Sequence, residues 1–151
     1  MHKHADFISQ FKYEYNQILL SQTNSYKSIN EVLKELKFRG DKIAIATNKR
    51  KDPTLKIIKH LKWGDYFSWV ACVNPENNKI KNKSELVKSI LTNEIDFQKS
   101  FFVGDTLNDA QCAKDNKLKF IKASYGYSEK KGWDNFQVYQ DISNPINILE
   151  I

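Results

Sequence analysis

The chain has 151 residues, 40% of them apolar, and a formal charge of +6, which is length enough for one domain with a sizeable core. Lysine supplies 22 of the 24 basic residues, with arginine only at Arg39 and Arg50; nucleic-acid grooves favour arginine forks, so no nucleic-acid partner is expected. No stretch reaches membrane-spanning length, residues 1–20 carry no leader pattern, and the two cysteines, Cys72 and Cys112, fit a reduced, cytoplasmic chain with no membrane partner.

Residues 6–21 place Phe7, Phe11, Tyr15 and Ile18 on one helical stripe. A second helix over 29–37 puts Ile29, Val32, Leu33 and Leu36 on one face, with Ser28 placed to cap it and Gly40 to end it. A short strand, 43–47, follows. Pro53 opens a helix over 53–62 that buries Leu55, Ile58 and Leu61. A turn leads into a strand over 66–72, and a polar loop runs on to a helix over 84–93 with Leu86, Val87, Ile90 and Leu91 inward. A strand at 100–103, a helix at 109–116 and a strand near 119–122 come next. The tail offers a weak strand near 136–139 and a short closing helix at 144–149.

Strand and helix alternate throughout. That pattern asks for a three-layer α/β fold, a mostly parallel, Rossmann-like sheet with helices on both faces. Ligands in such sheets sit at the carboxyl ends of the strands. Three polar signals fall there: Thr47 and Asn48 after KIAIA, and Asp105 after FFVG.

Asp105 and Asp109, with the Thr106 hydroxyl between them, make an oxygen-rich patch of the kind Mg²⁺ takes. Each aspartate alone also reads as an ordinary helix-start residue. Thr47 and Asn48 can offer a hydroxyl and free amides to a phosphoryl oxygen, or form a plain polar loop. Lys83 opens the helix at 84 and can neutralise a phosphate or a carboxylate; with Lys79 and Lys81 nearby, a solvated lysine is the bland alternative.

With these residues in view, the chain resembles the haloacid-dehalogenase-like phosphohydrolases, especially phosphoglycolate-phosphatase-like members. IAIATNKRKDPTLKIIKHL looks like the family's second motif, NKSELVKSIL its third, and FFVGDTLNDAQCAKDN its fourth, followed by FIKASYGY. The likeness is strong over about 26–128. It implies a Mg²⁺-dependent phosphatase of a phosphorylated small molecule. Thr47 and Asn48 would bind phosphate, and Lys83 would neutralise it. Asp105 would ligate Mg²⁺, and Asp109 would support the metal through water or hold the lysine. Lys81 competes with Lys83 as the motif lysine. Where relatives have a glycine after the 109–116 helix this chain has Lys117, and Asn116 is expected to take the left-handed turn instead.

The family's first motif, an aspartate pair of the form DxDGT after an apolar strand, has no counterpart here; Asp6 in HADFIS lacks the strand, the second aspartate and the Gly-Thr. In the family that strand is central, between those of motifs two and four. Residues 1–25 then read as a remnant of a helical cap and 26–151 as a core lacking its first strand, with two exposed sheet edges. The expected activity is that of a truncated, inactive phosphatase. The alternatives are a non-enzymatic module binding phosphate ligands or protein, and one half of a split enzyme whose missing strand a second chain supplies.

Overall fold

The computed structural model describes residues 7, 10, 11, 13–15, 18, 20–73, 82–91 and 95–151. Asp6, Lys79, Lys81 and the end of the helix expected to reach 93 lie outside them. The described residues between 7 and 22 are helical. Beyond them run α1 (Ile29–Phe38), β1 (Ala44–Arg50), α2 (Lys51–His60), β2 (Trp69–Val73), α3 (Lys83–Ile90), β3 (Phe101–Gly104), α4 (Leu107–Asp115), β4 (Lys119–Ala123) and β5 (Val138–Ile142). The closing segment Pro145–Glu150 is a 3-10 helix, not an α-helix: six residues provide too few i→i−4 bonds to repay nucleation.

Every strand pairing among the described residues is parallel. β1 pairs with β2, and separately β3, β4 and β5 form a sheet in that order. Among the described residues no ladder joins β1 to β3, so the α/β fold carries its parallel strands as two sheets. β4 shows why the fold is layered. Phe120 and Ile121 are consecutive and both nearly fully buried, and neighbours on a strand point to opposite faces. Both faces of β4 are therefore covered, as parallel sheets require. On one face Phe120, with Phe102 and Val138, packs against Ala110 and Ala113 of α4. Small residues on that helix let it approach the sheet closely.

Local chemistry sets the helix ends. α1 ends on Gly40 at φ 84°, where the Asp41 amide reaches back to the Leu36 carbonyl, a left-handed stop that glycine takes without a Cβ penalty. Ser28 stands at the start of α1 but makes no cap hydrogen bond; its own backbone is left-handed, at φ 68°. α2 begins two residues before the expected Pro53, which fits because first-turn amides have no helical partner. That start turns Thr54 and Ile58 inward and leaves Leu55 43% exposed, against the expected burial of Leu55. The left-handed residue after α4 is Lys117, at φ 57°, not Asn116. The Asn116 amide is instead spent on the Cys112 and Ser84 carbonyls.

Candidate functional site

Lys83 is the first residue of α3, placed by Asn82, whose side chain caps the helix by accepting from the Glu85 amide at 2.9 Å. The start of α3 is tied to both ends of α4. Lys83 Nζ donates to Asp109 Oδ1 at 2.6 Å, while the Ser84 hydroxyl donates to Asp115 Oδ2 at 2.7 Å. Lys83 therefore cannot be treated as a solvated lysine.

Asp109 is 4% exposed. Its Oδ2 accepts from the Thr106 hydroxyl at 2.7 Å, the Thr106 amide at 3.2 Å and the Asp105 amide at 3.3 Å. In return its own amide donates to Thr106 Oγ1 at 3.2 Å, closing a reciprocal capping box at the start of α4. Burial by itself pushes the Asp109 carboxyl up; the hydrogen bonds from Lys83 and Thr106, with the Lys83 charge, outweigh it and hold the carboxyl below the ordinary value. Gly104 makes this fold-back possible, since a Cβ there would overlap the Asp109 side chain. The TLND spacing of a capping box is visible in the sequence, although Thr106 reads there only as a flanking hydroxyl.

Asp105 leaves β3 at its carboxyl end. Its Oδ2 accepts from the Tyr127 amide at 2.7 Å, and Gly126 lies so close that a Cβ would overlap the carboxylate. No described donor reaches Oδ1. The residue lines a cavity of about 220 Å³ together with Tyr26, Val103, Gly104, Ala123, Tyr125 and Gly126. Tyr26 and Tyr125 meet edge to face at 5.0 Å. Burial pushes both phenols up, and the Asp105 charge adds to that. Among the described residues no three His, Cys, Asp or Glu side chains gather into a metal cage. A half-free carboxylate beside a cavity still fits Mg²⁺, which keeps several waters and often takes only one or two protein carboxylates.

Thr47 and Asn48 lie inside β1 rather than in a loop after it, because pairing with β2 continues past an irregularity to Arg50 and Val73. The Thr47 hydroxyl accepts from the Lys49 amide at 3.1 Å, and Asn48 is exposed. Among the described residues no hydrogen bond or ion pair joins either to the Lys83–Asp109 group. One further residue escapes the sequence reading: Glu129, whose carboxylate accepts from the Leu107 amide at 3.1 Å.

The family model for haloacid dehalogenase-like hydrolase matches residues 1–123. A phosphoglycolate phosphatase of Nitrosospira multiformis is 29% identical over 119 residues, which are 79% of this chain and 52% of that protein. One of Psychrobacter arcticus is 28% identical over 114 residues, 76% and 50% of the two chains. The chain thus spans about half the length of these relatives. Among solved structures, CbbY from Rhodobacter sphaeroides in complex with phosphate superposes with a TM-score of 0.76 at 14% identity, over 95% of this chain and 65% of that one. A haloacid dehalogenase-like hydrolase from Streptococcus pneumoniae gives 0.72 at 21%, over 83% and 58%; both show the shared fold. The matched span contains β1, the Lys83–Asp109 pair and the Asp105 strand exit, and with them the chain belongs to the haloacid dehalogenase-like hydrolases.

Proposed function

We propose that the chain is the phosphate-handling core of a Mg²⁺-dependent phosphatase acting on small phosphate monoesters, of the phosphoglycolate-phosphatase kind. The observation that carries this reading is the Lys83–Asp109 pair, part-buried and bonded to the same turn that presents Asp105. Lys83 offers its remaining N–H bonds and its charge to phosphoryl oxygens. Asp109, with both oxygens taken by donors, holds Lys83 in place and reaches a metal only through water. Asp105 supplies the carboxylate that Mg²⁺ would occupy; the bound ion would neutralise charge on the transferring group. The Thr47 hydroxyl and Asn48 complete the phosphate contacts from the end of β1. Residues 1–25, with Phe7, Phe11, Tyr15 and Ile18 all exposed, are read as part of a helical cap.

Alone, these residues stabilise charge but leave no carboxylate to attack phosphorus, since Asp109 is bonded through both oxygens and Asp105 is assigned to the metal, and no DxD pair occurs in the sequence. The expected result is no family-like turnover of p-nitrophenyl phosphate with Mg²⁺, and millimolar or weaker Mg²⁺ binding by calorimetry that Asp105→Asn abolishes. A phospho-enzyme burst in the unmodified chain would overturn the first expectation, and equal Mg²⁺ binding by the variant the second.

The two-sheet arrangement favours one further reading. The edges of β1 and β3 that no described strand pairs suit a parallel apolar strand that also carries the nucleophile, supplied from outside the described residues by a longer polypeptide or by a second chain. Turnover restored by a peptide with DxDGT on an apolar strand supports it. No restoration, with the chain alone cooperatively folded, favours a module that binds phosphate ligands without catalysis.

A further inference from the structure

The loop after β4 grips the start of α4 at three points. Gly126 presses on the Asp105 carboxylate, Glu129 accepts from the Leu107 amide, and Gly132, at φ 94°, sits against the Leu107 side chain. Trp133 closes the loop by donating to the Glu129 carbonyl at 2.6 Å and stacking on Phe120 at 6.0 Å. Tyr127 is 89% exposed, and its hydrogen bond to Asp105 comes from the backbone amide. That amide stays in place only if the loop does.

We propose that Glu129 is a positioning residue for Asp105: by binding the Leu107 amide it pins the loop so that the Tyr127 amide fixes Asp105 Oδ2 and leaves Oδ1 turned to the cation. The physical basis is local. The Leu107 amide is one of the first-turn donors that an α-helix leaves without a partner, and a carboxylate there is favoured by charge-assisted bonding and by the helix dipole. Only one residue separates Glu129 from Tyr127, so the anchor transmits directly to the amide. Oδ2, once it accepts from that amide, is the poorer donor to a metal.

The metal half of this role rests on the reading of Asp105 as a Mg²⁺ ligand; the orienting half does not, and the test separates them. In the full ¹⁵N-labelled chain, amide exchange at Tyr127 is compared among wild type, Glu129→Ala and Glu129→Gln, and each is titrated with Mg²⁺. Loss of one charge-assisted bond is expected to speed Tyr127 exchange about fivefold and weaken Mg²⁺ binding by a similar factor in Glu129→Ala. Glu129→Gln, whose amide oxygen still accepts from Leu107, should restore both. A Glu129→Ala chain that melts earlier yet keeps wild-type exchange at Tyr127 would reduce Glu129 to a helix cap and overturn the proposal. No Mg²⁺ response in wild type would defeat the metal reading, while the exchange comparison still decides whether Glu129 positions Asp105. Glu129 is exposed, so folding should survive; if Glu129→Ala does not fold, Glu129→Asp, one methylene too short to reach Leu107, takes its place with the same expected rise in exchange.

Discussion

Asp109 concentrates the energetics of the site. It carries an ion pair to Lys83 and three donors from the turn, all on a side chain that is 6% exposed. Asp109→Asn keeps the shape and removes the charge, leaving Lys83 with a weaker partner. A loss of about 2 kcal/mol at neutral pH is expected, from urea midpoints. The sign of the pH dependence follows from the lowered carboxyl. Unfolded, the group titrates near its ordinary value of 3.8. Its contribution is complete above that pH and disappears as pH falls through the lower folded value. The gap between wild type and Asp109→Asn should therefore narrow below pH 3.8; a gap that widens there would contradict the pairing. The carboxylate's identity was legible from GDTLND, but its saturation by donors was not, because Lys83 lies 26 positions away in the chain and meets it only through packing of α3 on α4.

At the scale of elements, α4 depends on its first turn. Thr106 caps it, Asp109 answers from the third position, and Glu129 takes a further amide from outside the helix. Thr106→Ala should cost about 1 kcal/mol, and Thr106→Ser should recover most of it; thermal melts of the two variants check this. An Ala variant as stable as wild type would mean that Asp109 needs no help from the hydroxyl. Element type was readable wherever the apolar period was sustained, as in α3, whose Leu86, Val87 and Ile90 are buried as expected. Boundaries were less so. β1 runs on through Thr47 and Asn48 because β2 continues to pair with it, a partner's contribution that local sequence does not contain. Lys117 holds a left-handed turn against its own preference because the Leu118 and Lys117 amides close back on Ala113 and Lys114, which outweighs a strain of about 1 kcal/mol.

Over the whole molecule, the break between the β1–β2 sheet and the β3–β4–β5 sheet, which no described ladder joins, is the feature with the widest consequence. Among the described residues the outer edges of β1 and β3 have no paired strand, and apolar edges of that kind seek partners. Sedimentation of the chain alone should show a mean mass that rises with concentration. A peptide strand that fills the break should suppress this and raise Tm, by an amount corresponding to about 2.7 kcal/mol at one hundred times its Kd. A monomer at every concentration, with no shift in Tm, would mean that the edges are already satisfied. The alternation of strands and helices and their parallel sense could be read from the chain, because hydrophobic period is a local property, and strand-end chemistry is what singles out Thr47, Lys83, Asp105 and Asp109 as candidates. Which oxygen of Asp105 is held, which partner Lys83 takes, and the contact of Glu129 with the Leu107 amide were decided only when α3, α4 and the loop after β4 came together, because each depends on groups distant in sequence meeting within a few ångströms.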